Sequence, residues 1–205
     1  MATGVLFVFD WDDTIFPTTY RKETVAFEAL DKLLHTVMTK CLRYGKVCLV
    51  SLGSTKWIER CLQKLPLLKK LKSQLILESA RKHVEDKTLE SLVMAKKSCF
   101  ESLWGFHHQP QMLISIGDSE IEKRAAKEFS AENNLIAKTI LFNREPTLHN
   151  IQIQLSDFLG KIDLLGRLNT NIDLDAMTLG CYGVSVSQNI SKSQRTRDAV
   201  YKLEF

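Results

Sequence analysis

The stretch that most constrains this chain is VLFVFDWDDTIFPT, close to its start. Val5 to Phe9 is continuously apolar and rich in Val and Phe, the pattern of a strand buried on both faces of a parallel sheet. It runs directly into Asp10, Asp12 and Asp13. Chain polarity puts these carboxylates at the carboxyl edge of the sheet, where open α/β sheets bind ligands. Three unpaired carboxylates there repel one another, and a divalent cation or a phosphate and lysine network is the natural way to stabilise them. An acidic N-cap or turn is the plainer alternative.

The rest of the chain alternates in the same style. Apolar runs at Val47 to Val50, Gln74 to Ser79, a segment ending near Ile116, and Leu135 to Phe142 read as four further strands. Between them lie amphipathic patterns: Glu23 to Leu42, with Gly45 placed to stop it; a helix capped by Ser54 and interrupted or ended by Pro66; Lys87 to Trp104; and a helix through Phe129. Leu148 to Leu165 closes the series. Strands alternating with helices predict an α/β fold, a Rossmann-like three-layer sandwich around a central parallel five-stranded sheet. The domain is expected to span residues 1–166. Residues 167–205 form a C-terminal extension, in which TLGCYGVSVS reads as a strand pair or an irregular segment. The polar, Ser-rich run after it is expected to be partly disordered.

Composition narrows the class. The chain has 205 residues, 44% hydrophobic and 25% charged, with no apolar run near the ~18 residues of a membrane span. Its net charge of +4 permits phosphate-bearing partners without announcing a nucleic-acid binder. Cys41, Cys48, Cys61, Cys99 and Cys181 are scattered, with no C-x-x-C pair, which argues against a disulfide framework or zinc ribbon. Asp10 interrupts the first apolar run, unlike a signal peptide, so a cytoplasmic location is expected.

Taken together, the motifs resemble the haloacid dehalogenase (HAD) superfamily. Its first motif, an apolar strand followed by DxDxT, is matched by Asp10, Asp12 and Thr14. The second, a strand ending in Ser or Thr, is matched by VCLVS with Ser51, and the fourth, GDxxxD, by Gly117, Asp118 and, conservatively, Glu122. The likeness covers roughly Val5 to Leu165, and the wording looks most like uncharacterised HAD proteins of microbial eukaryotes. Glu122 departs from the family's Asp, and its extra methylene is expected to move it from the metal shell to water or lysine contact.

The third motif is a lone lysine upstream of the fourth. At about 100° per residue, Leu89, Leu92, Val93, Phe100 and Leu103 define one helix face, with Lys96 near its centre and Lys97 at its margin. A lysine in the middle of an apolar face is costly unless its ammonium reaches an anion, so Lys96 is the expected active-site lysine, with Lys97 or Lys82 as replacements.

The resemblance implies a Mg²⁺-dependent phosphatase. Asp10 attacks phosphorus and forms an aspartyl-phosphate, and Asp12 protonates the leaving oxygen and then deprotonates water. Mg²⁺ is held by Asp10, the Asp12 carbonyl and Asp118; Ser51, Thr14 and Lys96 contact the phosphoryl group. The intervals from Thr14 to Ser51 and from Ser51 to Lys96 are largely consumed by core elements, so no substantial cap domain is expected. An open cleft suits a bulky or macromolecular phosphoester; no membrane contact is expected and nucleic acid stays open as a partner. The alternatives are a non-catalytic interaction module on the same scaffold and a phosphotransferase. His107 and His108 lack a third ligand nearby and read as a solvated loop. KLPLLKKLKSQ reads as a lysine-fringed helix packed on the sheet, and Trp11 either flanks the substrate or lies buried under its loop.

Overall fold

Apolar segments buried on both sides can satisfy their backbones only by pairing with one another, and here they do so within a six-stranded sheet. The computed structural model describes residues 4–19, 27–106, 110–144 and 146–181, the side chains of 105, 106 and 181 excepted. Strands β1 (Val5–Asp10), β2 (Gly45–Ser51), β3 (Leu75–Ser79), β4 (Met112–Gly117), β5 (Ile136–Leu141) and β6 (Ile172–Asp175) form one sheet in the order β3-β2-β1-β4-β5-β6. Every pairing is parallel.

Alternation along β1 shows how the layers form. Phe7 and Phe9 point into a core shared with α1 (Glu28–Leu42), α2 (Thr55–Leu62), α3 (Pro66–Lys70), α6 (Leu148–Arg167) and α7 (Ala176–Cys181). Leu6 and Val8 point the other way, onto α4 (Leu89–Phe106) and α5 (Glu120–Glu132). The result is an α/β sandwich of three layers. Cys41, Cys48, Cys61 and Cys99 are free thiols buried within it. No helix among the described residues is long and apolar enough to cross a membrane.

Three expectations change. The sheet has six strands rather than five, because Ile172–Asp175 pairs with β5 beyond the closing helix. Thr178 to Cys181, the start of the run read as a strand pair, belongs to α7; the remainder lies outside the described residues, as do the polar tail, His107, His108 and the start of the predicted Glu23 to Leu42 helix. Gly45 does not stop α1, which ends at Leu42 with Arg43 as its cap. It opens β2 opposite Val5, where a Cβ would lie 1.8 Å from the Val5 carbonyl oxygen, so close approach of two strands requires the glycine. Ser54 caps α2 as expected, accepting from the Trp57 amide (3.2 Å), while Pro66 opens α3 in the first-turn position where its missing N–H costs nothing.

Candidate active site

The sheet order reverses direction at β1. The helix after β1 covers one face and the helix after β4 covers the other, which leaves a crevice at the carboxyl ends of these adjacent strands, the switch point where α/β sheets take ligands. Asp10 ends β1, Ser51 ends the neighbouring β2, and Asp118 follows the last residue of β4. After Asp10 the chain turns tightly. The Asp13 amide donates to the Phe16 carbonyl (2.8 Å), and Asp13 takes φ 58°, a left-handed conformation that Asp tolerates better than most residues. That turn places Asp12 and Asp13 beside the strand edge.

Asp10 and Lys96 form the buried centre. The Lys96 ammonium, carried on α4 from the opposite layer, donates to Asp10 Oδ1 and lies 3.1 Å from Glu122 Oε1. Thr14 donates to Asp10 Oδ2 (3.3 Å), and Ser119 holds the second Glu122 oxygen. Burial pushes the Asp10 carboxyl well above the usual carboxylate range; Lys96 pulls it back, and Glu122 and Asp118 add to the rise. Burial, with Glu122 and Asp13 beside it, pushes the Asp118 carboxyl up to about 6. Burial also opposes the Lys96 ammonium, but Asp10 and Glu122 outweigh it and hold the amine above its ordinary range. Asp10, Glu122 and Asp118 set three carboxyl groups against the single Lys96 ammonium, a surplus of acids that one lysine does not neutralise.

Asp12 is held differently. Ser51 donates to its Oδ2 (2.6 Å), while Thr18 (2.7 Å) and the Trp57 indole N–H (2.9 Å) donate to Oδ1. Ser51 in turn accepts from the Gly53 amide (2.8 Å). Asp13 Oδ1 accepts from the Thr19 amide (2.9 Å) and hydroxyl (3.1 Å). Three donors from three separate segments fix the Asp12 carboxylate at the mouth of the crevice.

The structure thus brings together Asp10, Thr14, Lys96, Asp118 and Glu122, with Asp12 and Ser51 joined next to them. Lys97 points away and pairs with Glu132 on α5 (2.6 Å), and Lys82 pairs with Glu78 (3.0 Å). Glu122 meets the lysine, one of the two contacts expected from its longer side chain. Gly117 makes this possible: a Cβ there would lie 2.5 Å from Glu122 Cγ. Trp11 is buried and stacks on Phe16 with ring centroids 5.7 Å apart. Trp57, Thr18 and Thr19 are site residues that the sequence reading missed. The two threonines sit within the first motif's own loop, and hydroxyls that close to three aspartates were a usable signal; Trp57 carried none beyond following Ser51.

Among the described residues no three His, Cys, Asp or Glu side chains gather as a ready-made metal cage. The donor set nevertheless fits Mg²⁺. That ion keeps several waters and needs only one or two carboxylates, which Asp10 and Asp118 supply. The Asp12 side chain already accepts three hydrogen bonds, and its backbone carbonyl is the group that would meet a metal. The surplus negative charge is what a divalent cation would relieve. Comparisons with protein-family models, with curated proteins and with solved structures returned no match.

Proposed function

We propose that this chain is a Mg²⁺-dependent phosphatase of the HAD type, hydrolysing a phosphomonoester through an aspartyl-phosphate on Asp10. The observation that carries the reading is the buried Asp10 and Lys96 pair at the switch point, with Asp118 and the three-donor Asp12 on either side. A carboxylate pinned by a buried lysine and a threonine is oriented as a nucleophile, and the lysine offsets repulsion between it and an anionic phosphate.

In the first step an Asp10 oxygen bonds to phosphorus while the bond to the ester oxygen breaks, and Asp12 gives that oxygen a proton. In the second, Asp12 takes a proton from water, which attacks phosphorus, releases inorganic phosphate and restores Asp10. Thr14 and Lys96 hold Asp10 in line, and nearby backbone N–H groups offer hydrogen bonds to phosphoryl oxygens, joined by the Ser51 hydroxyl once its proton turns from Asp12 Oδ2. When bound by Asp10, Asp118 and the Asp12 carbonyl, Mg²⁺ supplies charge neutralisation for the transferring phosphoryl group.

The described parts of the intervals before Ser51 and before Lys96 hold only core helices, β2, β3, short 3₁₀ turns and their connecting loops, which suits an uncapped crevice open to a bulky substrate. One observation favours a second reading, a binding module without turnover: Glu122 is committed to Lys96 and Ser119, where the family has an Asp. Hydrolysis of an aryl phosphate by wild type and Asp10→Asn, with and without Mg²⁺, separates the two. The phosphatase reading requires turnover that needs the ion and disappears in Asp10→Asn; turnover absent under all conditions leaves the binding module.

A further inference from the structure

The phosphatase reading leaves the substrate class open, and the charge map narrows it. From Ser54 to Gln74 the chain carries Lys56, Arg60, Lys64, Lys69, Lys70 and Lys72 against one acid, Glu59. That surplus exceeds the +4 of the entire chain, so the remainder is close to neutral. All six cations are exposed. Lys72 pairs with Glu59 (2.7 Å) and Lys69 donates to Gln63, but Lys56, Arg60 and Lys64 make no ion pair among the described residues.

These three are arranged in a row with its origin at the crevice. Lys56 and Arg60 lie one turn apart on the outer face of α2, about 6 Å along the helix axis, and Lys64 follows four residues on, just past the helix end. The first turn of α2 is tied to the site by the Trp57 indole on Asp12 (2.9 Å). Aromatic rings run beside the cations. Buried Phe16 stacks on both Trp11 and partly exposed Phe27 (5.3 Å) and meets partly exposed Trp57 edge-on (6.3 Å), and Lys64 Nζ lies 5.6 Å above the Phe27 ring, so the exposed parts of Trp57 and Phe27 are the surface offered to a base.

A line of cations flanked by aromatic faces is how proteins hold single strands, the cations taking backbone phosphates and the rings taking bases. A phosphopeptide pocket instead gathers arginines around one phosphate, whereas this row has a single arginine and is strung out. A membrane-binding helix needs an exposed apolar face, and here Ile58, Cys61, Leu62, Leu65 and Leu68 are all spent on the core. We infer that the outer face of α2 is a track for single-stranded nucleic acid, which delivers a terminal phosphate to Asp10. The chemistry at that phosphate rests on the phosphatase reading; the binding does not.

The test uses the full chain carrying Asp10→Asn, so that bound strand is not consumed, and a dye-labelled homopolymeric DNA strand ending in a 3′-phosphate, a 5′-phosphate or no phosphate. Anisotropy is followed between about 50 and 200 mM salt. Three phosphate contacts predict that adding Lys56→Gln, Arg60→Gln and Lys64→Gln removes about 2 from the slope of log affinity against log salt and weakens binding by ~10-fold or more at the lower salt. One of the phosphorylated ends should bind more tightly than the unphosphorylated strand. In the wild-type background the triple change should leave aryl phosphate turnover within about twofold, since all three residues are exposed and none pairs with a carboxylate of the site among the described residues.

Strand binding that is absent, or undiminished by the triple change, overturns the track, as does equal binding of all three strand ends. So does tighter binding of an acidic phosphopeptide or of anionic phosphatidylserine vesicles. Aryl phosphate turnover without strand binding sinks the track and leaves the phosphatase reading standing; strand binding without turnover of any phosphate does the reverse.

Discussion

Lys96 and Lys138 are both sealed from solvent, at 1% and 0% exposure, on opposite faces of the sheet. Lys96 reaches from α4 to the carboxyl edge of β1 and meets Asp10 and Glu122, which hold it above the ordinary lysine range although burial opposes this. Lys138, midway along β5, meets no carboxylate among the described residues. Its ammonium donates to the Leu165 and Leu168 carbonyls at the end of α6, and burial pushes its pKa down to about 7. The carbonyls are orphan acceptors of a helix C-terminus, so this lysine serves as a cap. The difference teaches that burial alone does not mark a functional lysine. What the ammonium meets, and at which edge of the sheet, separates a site from a scaffold.

The largest effect should come from exchanging each lysine for methionine. Lys96→Met should lower aryl phosphate turnover by ~10²-fold or more, the scale of losing one transition-state contact. Methionine keeps the apolar stem, and the sequence alone suggests a small stability cost. The structure corrects that: removing the ammonium leaves buried carboxylates uncompensated, a loss of about 3 to 5 kcal/mol in denaturant melts, which Mg²⁺ should partly restore. Lys138→Met should leave turnover within about twofold. If the two variants exchange behaviours, the comparison fails.

A smaller effect is expected at the crevice mouth. Trp57→Phe keeps the edge contact with Phe16 and removes only the indole donor on Asp12. Turnover should fall ~10-fold with KM little changed, since a hydrogen bond to a charged group is worth about 1.5 to 3 kcal/mol. A rise in KM alone would instead place Trp57 in substrate binding.

Stability against pH sharpens the scaffold half. The unfolded Lys138 amine titrates near ~10.4 and the folded one at about 7, so between these values the unfolded chain binds more protons and the contribution of Lys138 to stability rises with pH. The difference between wild type and Lys138→Met should therefore move in favour of wild type from pH 7 to pH 10 in urea titrations. A constant difference would mean that the carbonyls keep the amine charged throughout. Smallest of all, Lys97→Met breaks a pair whose Glu132 partner is 55% exposed, and should change stability by ~1 kcal/mol or less and leave turnover intact.

How much of this was legible beforehand follows the range of the forces involved. Periodicity placed β1 to β5 and the helices between them, because a buried face imprints its repeat on the local sequence. Lys96 was readable for the same reason, as a charge in the middle of an apolar face. β6 was not. Its four residues alternate buried and exposed, too short a run to stand out, and they reach the sheet through α6, which lies on the face opposite α5 although both links step the same way. That crossover has the opposite hand to its predecessor, against the usual rule for parallel strands. Trp57 on Asp12 and Lys138 on the α6 carbonyls are contacts between segments distant in sequence, set by tertiary packing rather than by any local pattern.

The central claim is that Asp10 becomes covalently phosphorylated, and the direct measurement is to find the phosphoryl group on it. Wild type mixed with radiolabelled phosphate monoester and Mg²⁺, quenched in acid within one turnover and digested, should yield label on the peptide containing Asp10, released by hydroxylamine as expected of an acyl-phosphate and absent from Asp10→Asn. Turnover with no protein-bound label, or label that persists in Asp10→Asn, would contradict the account.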